Sequence, residues 1–419
     1  MKAPQACCLL AAILLSSCAA QTFSEAMDEA MERHGVMGMS ALVISNGEIA
    51  EAYYGGQRNY EHSWSVDAAT RFRIASISKS ITAMGCMKLV ESGMLDLDAA
   101  ITEYLSFDLN NPNHPNVPIT LRMLLSHTSS IQDGDGYEPF LSATHQSADD
   151  VPSMGELLQS GGTWFTPNMY RTEVPGTYFA YSNLNFGVVA TVMEAVTGLR
   201  FDVLMDELIF QPMGIGCSYD VAALNGIENL AALYRNQDGW VAQADQFNGE
   251  RPKSSELSAY IPGSNGVYFA PQGGLRASAA ELYELMAVLF NGGVASNGTE
   301  VLAPKTVEAM LTEHWTYDGS NGDNYNNLFN SWGLGLQRVT NADLGDIVFS
   351  EMQMWGHPGE AHGLVSDWYF DPVSKDGVIF LTNGVWDGYS TGEKSAYYTL
   401  EEDVFNAGMA ALRRINSVN

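Results

Sequence analysis

The amino-acid sequence predicts a mixed α/β (α+β) fold. One antiparallel sheet is built from both chain ends with flanking helices, and an all-helical domain is inserted between them. Three observations carry this expectation. Strand-like runs occur early, at 37–54, and return late, at 333–338, 363–370 and 377–382. Helical patterns dominate the residues between. The 419 residues, 46% hydrophobic and 16% charged, suffice for a large core and show no short repeat. The expected division is a signal peptide over 1–17, an α/β domain from 18–68 and 264–419, and a mainly helical domain over 69–263. A ligand cleft is expected at their junction.

The elements follow in chain order. Lys2 precedes an apolar run from Cys7 to Leu15, too short to span a bilayer but suited to the core of a secretion signal. A helix is expected from Ser24 to His34. Met37–Ser45 and Glu48–Tyr54 read as a hairpin, because Asn46-Gly47 is a strong two-residue turn signal. From Ser76 to Ser92, apolar residues cover most of a helical circumference, which predicts a central buried helix ended by Gly93. A second helical segment spans Ile119–Leu125. Gln132–Asn168 reads as a long irregular stretch rich in Asp, Ser, Gly and Pro. Helices are expected at Leu184–Thr197, closed by Gly198, and at Phe201–Phe210, Ala279–Phe290, Pro304–Thr312 and Lys394–Ile415. Asp371-Pro372 and Lys375-Asp376-Gly377 mark the turn between the last two strands.

Charge and cysteine usage exclude several classes. Forty-nine acidic against 20 basic residues give a formal charge of −29, a surface that repels nucleic acid and anionic lipid. Cys86 and Cys217 are far apart and form neither a disulfide framework nor a metal set. The eight histidines contain no His-Glu-x-x-His, so no metal or other cofactor is expected.

The chemistry-bearing element is Ser76-Ile77-Ser78-Lys79. Residues three apart share a helix face, so the spacing sets an amine beside the Ser76 hydroxyl. A serine hydroxyl needs a base to become nucleophilic, and a buried lysine is a neutral amine able to act as one. The plainer reading is a serine helix cap with Lys79 in water. Further along stand Tyr181-Ser182-Asn183 and His357-Pro358-Gly359. Taken singly, these read as a core aromatic, a helix cap and a turn. His127, in Leu125-Ser126-His127-Thr128-Ser129, reads as structural.

In this order, the three motifs resemble those of the serine β-lactamases and penicillin-binding proteins. The match is closest to the class C-like branch, with its class C β-lactamases, D,D-carboxypeptidases, D-aminopeptidases and family VIII esterases. The resemblance covers nearly the whole chain after the signal segment and implies a β-lactamase/transpeptidase-like fold. It implies that Ser76 forms an acyl-enzyme while Lys79 and Tyr181 share the proton transfers, with the choice of base left open. Asn183 would bind Lys79 and the substrate, His357 and Gly359 would line the cleft, and the N–H groups of Ser76 and Glu360 would form the oxyanion hole. Leu15-Ser16-Ser17-Cys18 resembles a bacterial lipobox, implying lipidation of Cys18 and a periplasmic-side lipoprotein; cleavage after Ala19 or Ala20 is the alternative. The only membrane contact expected is through that anchor.

Three residues depart from the family pattern. His357 replaces a lysine, Glu360 stands where a small or hydroxylated residue is common, and Ser130 replaces a glycine. The first two weaken recognition of anionic β-lactams and favour ester, amide or peptide substrates. The implied activity is that of an exported esterase or peptidase-like serine hydrolase. The alternatives are a peptidoglycan D,D-carboxypeptidase or D-aminopeptidase, a class C-like β-lactamase, and a lipid-anchored sensor with little turnover. The sequence does not specify an oligomeric state.

Overall fold

Burial on both faces turns strands into nearly continuous apolar runs, and the central strands of this protein follow that rule. The computed structural model describes residues 21–146, 150–253, 257–387 and 389–418. The expected signal segment and Cys18 lie outside them. The main sheet comprises β1 (Gly38–Ser45), β2 (Glu48–Asn59), β3 (Trp64–Ser65), β4 (Trp315–Thr316), β5 (Ser331–Trp332), β6 (Gln337–Arg338), β7 (Trp355–Ala361), β8 (Leu364–Phe370) and β9 (Gly377–Thr382). Their spatial order is β3-β2-β1-β9-β8-β7-β6-β5-β4, antiparallel throughout. The two chain ends meet at β1 and β9, where Met39 faces Thr382 and Ile44 faces Gly377. The sheet from both termini is therefore as expected. Asn46 and Gly47 both adopt positive φ, 53° and 84°, and close the first hairpin.

The longer helices are α1 (Phe23–His34), α2 (Ser78–Glu91), α3 (Asn183–Thr197), α4 (Ala279–Phe290) and α5 (Thr399–Val418). One sheet face, with Ala41, Val43, Val378 and Phe380, packs under α1 and α5 through Phe23, Met27, Leu400 and Val404. The opposite face, with Leu42, Ile44, Ile379 and Leu381, joins a larger core with α4, α2 and α3. α1 starts with a reciprocal Thr22–Glu25 capping box. α2 is buried around nearly its whole circumference, including Ser78, Lys79, Ser80 and Thr82.

Three sequence expectations need correction. The stretch 132–168 holds two short helices, Tyr137–Thr144 and Met154–Leu158, which bury Tyr137, Phe140, Met154, Leu157 and Leu158. Their brevity leaves too little periodicity to outweigh the surrounding Gly, Ser and Pro. The strand expected at 333–338 survives only as Gln337–Arg338, because Gly335 takes φ 73° and breaks the extended run. The terminal helix starts at Thr399, not Lys394. The Glu402 carboxylate accepts from Glu393 N, Lys394 N and Ser395 Oγ and folds that segment into a loop over the helix start.

Candidate active site

Ser76 occupies a single 3-10 turn, Ala75–Ile77, that runs directly into α2. Ala75, just before it, is held at φ 46°, a left-handed conformation that residues with a Cβ rarely adopt. Lys79 follows one turn later and is fully buried. Its Nζ lies 3.0 Å from Ser76 Oγ, 2.8 Å from Asn183 Oδ1 and 2.8 Å from the Gln272 carbonyl oxygen. As an ammonium it donates to all three. As a neutral amine it donates to Asn183 and Gln272 and turns its lone pair toward the Ser76 hydroxyl. Burial brings its pKa down from 10.5 to about 7, against the opposing charge of Asp133. The alternative of a solvated Lys79 is thereby removed.

The Tyr181 ring lies 4.9 Å from Lys79 Nζ, measured to its centroid. Burial raises the phenol pKa, and a hydrogen bond with Ser76 acts in the opposite direction. His127 stacks on this ring at 4.5 Å, and Phe329 does so from 5.4 Å. The His127 Nδ1 accepts the Ser182 N–H at 3.1 Å, which leaves the ring proton on Nε2. Burial and Lys79 push its pKa well down, so the imidazole is a neutral wedge behind Tyr181.

Asn183 opens α3 as its first helical residue rather than its cap. Asp133 supplies the cap from another loop. Its carboxylate accepts from Asn183 N (3.0 Å), Leu184 N (2.9 Å), Ser182 Oγ (2.8 Å) and Asn183 Nδ2 (2.9 Å).

His357, Pro358 and Gly359 lie inside strand β7, not in a turn. His357 is fully buried; its Nδ1 meets the Pro358 carbonyl at 2.6 Å, and burial followed by Lys79 lowers its pKa to about 3. It is neutral at working pH. Gly359 packs against the segment leading into Ser76. A Cβ there would stand 2.4 Å from Ser366 Oγ and 2.7 Å from Ile74 O. Ser366 Oγ lies 3.1 Å from the Gly359 carbonyl and 3.3 Å from the Ile74 carbonyl, so its single proton is shared between the two segments. Next along the strand, the Glu360 carboxylate accepts from Tyr398 Oη at 2.8 Å.

Ser76, Tyr181, Asn183, His357, Gly359 and Glu360 line one recess of ≈ 420 Å³, together with Tyr325, Phe329, Tyr398 and Glu401. Lys79 is buried against Ser76 and Asn183. Sequence reasoning missed Asp133, the Gln272 carbonyl and Glu401. The backbone carbonyl of Gln272 leaves no mark in sequence, whereas Asp133 carries only the weak signal of an acid in a Gly-rich loop. Glu401 is fully buried beside Asp367; burial raises its pKa to about 8, helped by the charge of Glu360 and opposed by hydrogen bonds from the Tyr398 N–H and Asp367, while burial and Glu401 push the Asp367 carboxyl well up. Among the described residues, no group of His, Cys, Asp or Glu could hold a metal ion, and no helix is long and apolar enough to cross a membrane.

A Beta-lactamase family model matches residues 23–394. The chain belongs to the β-lactamase family. It is similar to Protein flp of Staphylococcus aureus, 24% identical over 195 residues. That match covers 46% of this chain and 36% of the staphylococcal protein, so the chain spans about a third of that relative. Esterase EstB of Burkholderia gladioli is 28% identical over 274 residues, covering 60% of this chain and 67% of EstB. The octameric penicillin-binding protein homologue from Pyrococcus abyssi superposes with a TM-score of 0.67 at 22% identity, covering 94% of this chain and 77% of that one. The D-amino acid amidase from Ochrobactrum anthropi SV3 gives 0.65 at 21%, covering 94% and 98%. The β-lactamase-family relationship and its fold, expected from the three motifs, are both as found.

Proposed function

We propose that this protein is a serine hydrolase that cleaves an ester or amide through an acyl-Ser76 intermediate. The contact of the buried Lys79 amine with Ser76 Oγ carries this reading, because a lysine with a pKa of about 7 is a base at neutral pH. Lys79 takes the Ser76 proton as Oγ attacks the carbonyl. The raised pKa of Tyr181 keeps its phenol protonated at neutral pH, so it can relay to the leaving group the proton that Lys79 takes from Ser76. The N–H groups of Ser76 and Glu360 receive the developing oxyanion. Each turnover consumes one water to release the acyl group.

The recess favours neutral esters and amides over anionic β-lactams. His357 is uncharged, so the recess offers no fixed cation there, and the Glu360 carboxylate lines the same space. An amide of a D-amino acid is the second reading, favoured by the fold shared with the D-amino acid amidase. The N-terminal sequence supports export, with Cys18 as a lipid anchor.

A panel of p-nitrophenyl esters, D-amino acid amides, a D-alanyl pentapeptide and a cephalosporin tests the reading, with Ser76→Ala as control. Short esters should turn over with the highest kcat/KM, and Ser76→Ala should lose that activity. A cephalosporin preferred far above the esters overturns the ranking. A native protein that is acylated but never released is a sensor.

A further inference from the structure

The carboxylate of Asp133 takes four hydrogen bonds and belongs to none of the three motifs. Two come from backbone N–H groups at the start of α3, an ordinary capping role. The bond from Asn183 Nδ2 is different in consequence. An ionised carboxylate only accepts, so it draws the amide nitrogen of Asn183 toward itself. The amide oxygen is thereby turned the other way, to Lys79 Nζ at 2.8 Å. Were the amide flipped, its NH2 would face the amine and its oxygen would face the carboxylate, opposing donor to donor and acceptor to acceptor.

We propose that Asp133 is a positioning residue for the catalytic amine: it fixes the Asn183 amide in the orientation that gives Lys79 an acceptor. The two hydrogen bonds of the Asn183 amide carry this role, and the Asp133 charge acts in the same direction by opposing the desolvation of Lys79. The groups around Lys79 explain why such a counterweight is needed. His127 and His357 approach as neutral imidazoles, Tyr181 as a neutral phenol, and Ser76, Asn183 and Gln272 as uncharged acceptors. The negative charge of Asp133 opposes the desolvation of the amine. It sits in the loop after His127-Thr128-Ser129, so one loop supplies both the wedge behind Tyr181 and the orienting carboxylate for Asn183.

This role rests on the serine-hydrolase reading, and the test separates the two. Asp133→Asn keeps one accepting oxygen for two of the four donors and turns an NH2 toward the other two, so its thermal midpoint should fall modestly, and the pH readouts are taken on protein shown folded by circular dichroism. Its substitution removes the charge and allows the Asn183 amide to turn over. Both effects lower the proton affinity of Lys79. The acid limb of fluorophosphonate labelling at Ser76 should therefore move about half a unit to one unit toward lower pH, and the plateau rate should fall about tenfold. A titration of the Lys79 Cε resonance, with no substrate present, should show the same downward shift. Asp133→Asn with both wild-type profiles overturns the proposal and leaves Asp133 a cap. Wild type that fails to label while the Cε resonance still shifts overturns the hydrolase reading and supports the electrostatic coupling.

Discussion

Replacing Lys79 with Met removes the only ionisable group on the α2 turn that holds Ser76, and burial gives the change a pH signature in stability. The folded protein releases the Lys79 proton near pH 7, whereas an unfolded chain keeps it to about 10.5. Between those values the unfolded state binds more protons, so wild-type stability rises with pH through this group. At about 1.4 kcal/mol per pH unit, and with Lys79 half protonated in the folded state at pH 7, the gain from pH 7 to pH 9 is about 2 kcal/mol. Lys79→Met lacks it. The substitution also strands Asn183 Oδ1 and the Gln272 carbonyl, about 1–3 kcal/mol each, but that loss does not change with pH. The slope is therefore diagnostic and the offset is not. Urea melts of both proteins at pH 6, 7, 8 and 9, followed by circular dichroism, give the difference directly. Wild type should gain about 2 kcal/mol on the variant between pH 7 and 9, with little change from 6 to 7. Parallel stability curves would refute the reasoning, since Lys79 would then titrate alike in both states.

Gly359→Ala forces a methyl toward Ser366 Oγ and Ile74 O beside the nucleophile; ester kcat/KM should fall about a hundredfold while overpacking lowers stability by about 1–3 kcal/mol. Tyr181→Phe keeps the ring on His127 and Phe329 but loses the phenol, so thermal melts should match wild type while kcat drops about a hundred- to ten-thousandfold. His357→Gln should leave the acid limb of the kcat/KM profile in place, because an imidazole with a pKa of about 3 does not titrate where Lys79 does; a limb that moves would place the controlling proton on His357.

Much of this site was legible because its chemistry is local. Ser76 and Lys79 are three residues apart on one turn, and Tyr181 and Asn183 flank a single residue at a helix start. The apolar pattern of α2 announced a buried helix, and burial is what makes Lys79 a base. The parts that were not legible depend on approach through space. Asp133 meets Asn183 across 50 residues, and nothing in the loop around it distinguishes a cap from a surface acid. The neutrality of His357 comes from its burial against Trp332 and Tyr181, which are remote in sequence. The helices at Tyr137–Thr144 and Met154–Leu158 exist because the large core shared with the sheet needs their apolar faces, a tertiary demand that eight- and five-residue patterns do not announce.

The pairing of β1 with β9 has a consequence for how the molecule is made. Met39 waits for Thr382, so the first hairpin leaves the ribosome with an apolar flank that nothing yet synthesised can cover. At about 5–20 residues per second, that wait lasts from roughly twenty seconds to over a minute. A nascent chain of this kind cannot arm its serine early: the nucleophile's neighbourhood closes only after β7, β8 and β9 have been translated. Any holding factor that delays collapse would act on the first hairpin.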